Sequence, residues 1–161
     1  MNILVVYDSC FGNTQQIAEA IHIATARVHH SVLLKVKDVD AGKLKNTDLL
    51  IIGSPTRGFR PSEDTTAFLR SIPANGLKQI KTAAFDTRIQ LDTIKSSTLR
   101  LIVKTGGYAA KSIARQLRKK GGEAVSEPMG FFVSGEQGPL AENETGHAVE
   151  WAERVAGNTG K

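Results

Sequence analysis

Short, unbroken runs of apolar residues alternate along the chain with segments in which apolar residues recur at every third or fourth position. The run at residues 3–6 (ILVV) is typical of a strand that is covered on both faces of a parallel sheet. Similar runs predict strands at residues 31–36, 48–53, 82–85 and 124–133, and helical spacing predicts helices at residues 14–28, 63–72, 108–120 and 143–156. This alternation predicts right-handed βαβ crossovers and a doubly wound α/β sheet with helices on both faces.

The loop after the first strand combines small and hydroxylated residues with the start of a helix. Gly12 permits a positive φ angle, and Ser9, Asn13 and Thr14 place short polar side chains beside the amides that open the helix. These amides and the helix dipole both favour an anion without any fixed positive charge in the loop. The sequence therefore predicts a phosphate site here, with an ordinary Gly- and Asn-rich turn as the alternative.

Residues 6–14 (VYDSCFGNT), followed by Ile17, Ala18 and Ile21, resemble the phosphate loop and first helix of flavodoxins. The family pattern is an aromatic residue, Ser, two variable residues, Gly, Asn and Thr, and the match is specific. It implies a single flavodoxin-like domain over residues 1–161. The fold would be a doubly wound three-layer sandwich whose five-stranded parallel sheet has the order 2-1-3-4-5, with FMN at the switch between strands one and three. The residues it assigns to the phosphate are Ser9, Cys10, Phe11, Gly12, Asn13 and Thr14.

The loop after residues 48–53 is the second predicted part of the site. Two prolines and two glycines within residues 53–62 predict a rigid backbone at the carboxyl edge of the sheet. The resemblance implies FMN contacts by Ser54, Pro55, Thr56, Arg57, Gly58 and Phe59. Flavodoxins often have a tryptophan where Arg57 stands, so Arg57 either stacks on the flavin or is a surface charge. Phe59 is either an aromatic contact or an anchor that seats the loop on the core.

A third loop is predicted from Asp86, Thr87 and Arg88 onward, and the resemblance places it at the edge of the flavin ring. Many flavodoxins have a tyrosine over the outer flavin face shortly after this strand, whereas here Tyr108 is the first tyrosine to follow. Tyr108 either fills that role or packs against the helix that it precedes. The stretch at residues 88–105 is longer than a normal connection, and its apolar spacing predicts either an additional helix or a short strand.

Composition narrows the class of protein. The 161 residues suffice for one domain with a sizeable core, and the single cysteine excludes an internal disulfide. No apolar run reaches the length needed to cross a membrane and no signal-peptide pattern occurs, so we expect a cytoplasmic protein without membrane insertion. The net charge of +5 favours acidic partners, but the basic residues are dispersed and do not indicate nucleic-acid binding. No spacing of ligands indicates a metal site.

Cys10 suggests a second class of enzyme. Low-molecular-weight tyrosine phosphatases also place a Cys-x-Gly-Asn sequence in a phosphate loop after the first strand, where the thiolate is the nucleophile. Their chemistry requires an arginine six residues after the cysteine, where this chain has Gln16, and an Asp-Pro general acid, which the sequence lacks. We therefore interpret Cys10 as a small loop residue with an oxidisable thiol.

The sequence favours an FMN-binding electron carrier, because no residue is positioned as a catalytic acid, base or nucleophile. Redox partner proteins, acidic ones in particular, are the partners expected for such a carrier. An FMN-dependent oxidoreductase that uses NAD(P)H and a quinone is the alternative, since flavodoxins that shuttle electrons are usually acidic and this chain is basic. A non-enzymatic protein of the same fold that has lost the flavin is a third alternative.

Overall fold

Parallel strands and helices follow one another in the computed structural model, which describes residues 1–90, 95–98, 100–101 and 107–160. The strands are β1 (Asn2–Tyr7), β2 (His30–Lys35), β3 (Leu49–Pro55), β4 (Lys81–Ile89), β5 (Glu123–Ala124) and β6 (Met129–Val133). The helices with individually assigned bounds are α1 (Asn13–Ala26), α2 (Ala41–Lys45), α3 (Glu63–Ser71), α4 (Ala109–Lys119) and α5 (Glu144–Gly157), with short 3-10 turns at Val36–Asp38 and Asn158–Gly160. None of the described helices is both long and apolar enough to cross a membrane.

The sheet has the predicted order. Strands β2, β1, β3, β4 and β5 are neighbours in that sequence, and β6 also pairs with β4. All these pairings are parallel. The predicted fifth strand is present as two pieces, because β5 pairs with the start of β4 and β6 with its end. Pro128 lies between the two pieces and has no amide to donate to the sheet.

The unbroken apolar run of β1 is explained by burial on both faces of the sheet. Ile3 and Val5 belong to a core cluster that includes α1 and α5, whereas Leu4 and Val6 belong to a second cluster with α3 and α4. Since successive side chains of a strand point to opposite faces, both sets must be apolar.

An aromatic group forms the centre of the first core cluster. Phe85, Phe131 and Trp151 meet edge to face, with ring centroids 5.9 to 6.1 Å apart. Gly53 on the neighbouring strand is required here, because a Cβ atom at this position would lie 2.0 Å from the Phe85 ring. The inward packing predicted for the last helix is confirmed at Trp151.

The first helix is shorter than predicted. It ends at Ala26, and Val28 is 80% exposed rather than part of the buried stripe. His30 begins β2 and pairs with Asn2, so the chain must turn before it. The Thr25 hydroxyl, which donates within hydrogen-bond distance of the Ile21 and His22 carbonyls, closes the last turn.

The prediction of a loop at Asp86, Thr87 and Arg88 is wrong. These residues continue β4: all three are in register with β6, and Asp86 and Thr87 are also in register with β3. The buried carboxylate of Asp86 pairs with the guanidinium of Arg88. The strand can therefore continue through polar residues that, in the sequence, suggested its end. The additional helix or short strand predicted within residues 88–105 was based on the spacing of Leu91, Ile94, Leu99 and Ile102, which lie outside the described residues.

Candidate functional site

A cavity of about 250 Å³ lies at the carboxyl edge of β1, β3 and β4. This is the switch point of the sheet, where the strand order reverses and the connections after neighbouring strands run in opposite directions. Ligands of open α/β sheets usually bind there. Eleven of the predicted site residues line the cavity: Ser9, Cys10, Phe11, Asn13, Thr14, Pro55, Thr56, Arg57, Gly58, Thr87 and Arg88. The structure adds Ile89, Val133 and Glu136, which the sequence did not indicate.

The first loop presents main-chain amides to this cavity. Gly12 has a φ of 88° and precedes α1 without capping it by a side chain. The Ser9 hydroxyl accepts from the Gly12 amide at 3.1 Å and more distantly from the Gln15 amide. Among the described residues, no partner is found for the Asn13 and Thr14 amides, which belong to the open first turn of the helix. Such amides favour an anionic ligand.

A hydroxyl pair joins the first loop to β4. The Thr14 and Thr87 oxygens are 2.8 Å apart, and both side chains are buried. The Thr87 carbonyl also accepts from the Thr56 amide at 3.0 Å. The start of α1 and the carboxyl ends of β3 and β4 are thereby fixed relative to one another.

The connection between β6 and α5, to which the sequence analysis assigned no chemistry, holds the first loop from the other side. The Asn13 side-chain amide donates to the Gln137 carbonyl at 3.1 Å. Gly138 has a φ of 100°, and a Cβ atom there would lie 2.5 Å from the Asn13 side chain. The position of this connection at the carboxyl end of a strand was the only available signal.

The second loop turns sharply through Gly58 and Phe59. Reciprocal hydrogen bonds join the main chains of Arg57 and Arg60, and the two central residues have φ angles of 51° and 66°. This geometry is that of a type I′ turn. It directs Phe59 into a separate groove, so that Phe59 does not line the cavity.

Phe11 supplies the aromatic surface on this side of the cavity instead. The Arg57 guanidinium lies 5.7 Å from the centre of the Phe11 ring, a distance at which a cation and an aromatic face attract. Phe11 is 46% exposed, and Arg57 is exposed as well. A planar ligand could therefore gain contacts with both side chains.

Two predicted site residues are buried behind the cavity. Ser54 is fully buried, and its hydroxyl accepts from the Ser62 amide at 2.9 Å, which fixes the start of α3. Asp86 is also fully buried and accepts from the Ala110 amide at 2.8 Å, in the first turn of α4. Both residues position neighbouring elements, and neither lines the cavity.

Asp86 and Arg88 form an ion pair at the rear of the cavity. Two nitrogens of the Arg88 guanidinium donate to the Asp86 carboxylate at 2.6 and 2.9 Å. Burial raises the pKa of Asp86, whereas Arg88, the Ala110 amide and the Thr56 hydroxyl oppose this rise. Arg88 is held on its other face by Tyr108, whose ring centre lies 3.7 Å from the guanidinium carbon. Tyr108 precedes α4 and does not line the cavity.

Comparison with known proteins identifies the family. The flavodoxin family profile matches residues 5–151. The chain belongs to the flavodoxin family, whose members bind FMN and transfer electrons. A comparison with curated proteins finds no significant match.

Solved structures with the same fold include two flavodoxins of similar length. Flavodoxin 2 from Bacillus cereus is 24% identical with a TM-score of 0.73, and covers 98% of this chain and 99% of its own. A flavodoxin from the domain Archaea is 20% identical with a TM-score of 0.74, and both chains are fully covered. Rubredoxin oxygen:oxidoreductase from Desulfovibrio gigas is 17% identical with a TM-score of 0.73, covering 98% of this chain but only 36% of its own. At these identities the likeness concerns the fold.

The residues of the cavity fit the charge and shape of FMN. The free amides at the start of α1 suit a phosphate, and the flat surface of Phe11 with the Arg57 guanidinium suits an aromatic ring. The guanidinium of Arg88 also lines the cavity, where it is fixed in position and its charge is balanced by the Asp86 carboxylate. Glu136 is the carboxylate among the lining residues, and it belongs to the connection between β6 and α5.

Proposed function

We propose that this flavodoxin-family protein is an electron carrier with one FMN site. It would hold the FMN phosphate in its first loop and exchange electrons with partner proteins. One observation supports this most strongly: the amides of Asn13 and Thr14 open a helix beside the Ser9 hydroxyl, inside the cavity at the switch point of the sheet. These are uncharged donors in a fixed arrangement. They suit a phosphate ester better than a carboxylic substrate, because several donors can reach one tetrahedral group.

The remaining lining residues suit the ring end of the ligand. Bound FMN would supply the redox chemistry itself. Phe11 and Arg57 would cover one side of the ring, and Thr56 would offer main-chain and hydroxyl groups near its edge. Arg57 would place positive charge near the ring, which favours its reduced, anionic form, whereas the charge of Arg88 is balanced by the Asp86 carboxylate.

A carrier explains the cavity better than an enzyme with its own acid–base chemistry. Cys10 and Glu136 are the lining residues that could serve as nucleophile or base, and no ion pair or hydrogen bond involving either side chain is found among the described residues. An activated nucleophile needs a partner within hydrogen-bond reach. The free, exposed thiol of Cys10 also suits a reducing compartment, so we place the carrier in the cytoplasm.

Flavin content and binding test the proposal. The purified protein should show a flavin absorbance spectrum and release FMN on denaturation, and the apoprotein should bind FMN with a measurable heat in calorimetry. Riboflavin, which lacks the phosphate, should bind at least about tenfold more weakly, because it forgoes the charge-assisted hydrogen bonds of the first loop. Equal affinity for the two compounds would contradict the phosphate assignment.

A turnover assay separates a carrier from an oxidoreductase. The FMN-loaded protein should not oxidise NADPH steadily in the presence of a quinone unless a reductase is added. Steady oxidation without a reductase would overturn the carrier proposal in favour of an FMN-dependent NAD(P)H oxidoreductase. FMN binding would remain valid in either case, because calorimetry measures it separately.

A further inference from the structure

A second, larger depression adjoins the cofactor cavity on the side of α3 and α4. It has a volume of about 700 Å³, and it is called the basic groove here because Arg60, Arg70, Lys111 and Arg115 line it. Gly58 lines both this groove and the cofactor cavity, so the two are adjacent at the turn of the second loop. The groove is thus a surface next to the proposed site of electron transfer.

The charges of the basic groove are uncompensated. All four basic side chains are exposed, and none forms an ion pair with a carboxylate among the described residues. Among the residues that the structure describes, no acidic one lines the groove. Lys111 and Arg115 are one helical turn apart on α4, a spacing at which like charges repel and destabilise the helix. A ligand of opposite charge would relieve this repulsion.

The shape of the basic groove favours an extended ligand. It reaches from Pro61, before the start of α3, to Arg70 in the last turn of that helix, so its length is roughly 13 Å at the helical rise per residue. About four residues of an extended peptide span that distance. The charged groups lie on exposed, flexible side chains, which is more typical of a protein interface than of a preformed small-molecule pocket.

We propose that the basic groove docks a carboxylate-rich segment of an acidic redox partner protein. This proposal depends on the proposed function, since it names the partner with which the carrier exchanges electrons. A partner seated in the groove would lie next to Gly58 and therefore beside the cofactor cavity. The unpaired cations would also accelerate its association by long-range attraction, an effect that salt weakens.

Binding of a fluorescein-labelled oligoglutamate peptide of about eight residues tests the proposal, measured by fluorescence anisotropy on the full chain. The variant Lys111→Glu/Arg115→Glu reverses two charges of the groove. The matched control, Arg118→Glu/Lys119→Glu, makes the same change at two exposed residues of α4 that do not line the groove. We expect the groove variant to bind the peptide at least about tenfold more weakly at low ionic strength, and the control variant to change by less than about threefold. Added salt should weaken peptide binding more in the wild type than in either variant.

Each of three outcomes would overturn the proposal. Equal losses in the groove and control variants would show that the peptide responds only to total charge. Tighter binding of NADPH than of the peptide, abolished in the groove variant alone, would show that the groove is a dinucleotide site. Retained peptide binding in the groove variant would likewise exclude the groove as the docking site of the peptide.

Calorimetry with FMN distinguishes a failure of the docking proposal from a failure of the proposed function. Both charge variants should bind FMN like the wild type, because none of the four substituted residues lines the cofactor cavity. Failure of the wild type to bind FMN would overturn the proposed function even where the peptide binds the groove. Normal FMN binding without any peptide binding would overturn the docking proposal alone.

Discussion

The hydroxyl oxygens of Thr14 and Thr87 lie 2.8 Å apart in the interior, although the residues are 73 positions apart in the sequence. This contact ties the start of α1 to the carboxyl end of β4, so the two halves of the candidate site share one buried hydrogen bond. Its removal therefore affects both the stability of the fold and the geometry of the cavity.

Thr87→Val should destabilise the apoprotein by roughly 1–3 kcal/mol, because it leaves the buried Thr14 hydroxyl without this partner. Urea denaturation measures the free energy of unfolding. The double variant Thr14→Val/Thr87→Val is the control, since removal of both hydroxyls should cost less than the sum of the single changes. Additive losses would show that the two hydroxyls do not interact.

Gly12→Val should abolish FMN retention while the fold persists. The reason lies in the backbone: Gly12 has a φ of 88°, which a β-branched residue adopts only with strain, whereas a Cβ atom would meet nothing within 4 Å. Relief of this strain would rotate the amides of the first loop away from the phosphate. Calorimetry with FMN measures the loss.

Gly157→Val is the matched control for that change. Gly157 has a helical conformation in α5, and a Cβ atom there is also free of contacts within 4 Å. This variant should retain FMN. Stoichiometric flavin in Gly12→Val, with circular dichroism like that of the wild type, would contradict the assignment of the first loop to the phosphate.

Arg88→Met should destabilise the protein by about 3 kcal/mol at neutral pH, because it leaves the buried Asp86 carboxylate without its guanidinium partner. Burial already holds the pKa of Asp86 above its ordinary value of 3.8. A raised pKa in the folded state means that ionisation costs stability; this cost declines as the pH falls below the folded pKa and is gone below the unfolded pKa. Loss of Arg88 raises this pKa further. The deficit of the variant should therefore shrink on acidification.

Denaturation at neutral pH and at about pH 5 measures this dependence. Arg118→Met, an exposed arginine on α4, is the control and should show little loss at either pH. A deficit of Arg88→Met that stays constant or grows on acidification would contradict the role of the ion pair in holding Asp86 charged.

Arg57→Ala should make the reduced, anionic flavin harder to form. Loss of one exposed positive charge near the ring is worth on the order of 1 kcal/mol, or about 40 mV in a one-electron step, with the potential becoming more negative. A redox titration of the FMN-loaded protein measures the shift. Arg60→Ala removes a charge that lines the basic groove and not the cavity, so its shift should be smaller. Equal shifts in the Arg57 and Arg60 variants would show that Arg57 acts only as a surface charge.

Cys10 should react more slowly with a thiol reagent when FMN is bound. The thiol is exposed and lines the cavity in the first loop, to which we assign the phosphate. Because the sequence contains a single cysteine, modification reports on this loop alone. Riboflavin, which lacks the phosphate, should protect Cys10 less than FMN does. Equal rates with and without FMN would place the ligand elsewhere.

Burial on two faces leaves a strong local signal, so the sequence predicted the strands and most of the helices, whereas the sheet order was implied by the resemblance to flavodoxins. Strand β4 was predicted too short, since Asp86 and Arg88 look like loop residues until their mutual pairing is known. That pairing depends on Gly130, where a Cβ atom would lie 2.2 Å from the Arg88 guanidinium. No property of Gly130 in the sequence indicates such a contact.

The candidate site was predicted best where one continuous segment forms it. The first loop has a family pattern at fixed spacing, so its residues could be named directly. The aromatic surface could not be assigned in the same way, because the positive φ angles at Gly58 and Phe59 turn Phe59 away from the cavity and leave Phe11 in its place. The contact of Asn13 with Gln137 depends on the closed fold and has no local signal.

That contact also shows how the cavity is completed. Asn13 and Gln137 are 124 positions apart, so in any partly folded form whose connection between β6 and α5 is not yet in place, Asn13 lacks its support on that side. The first loop is continuous in sequence, but its final geometry is a property of the closed fold.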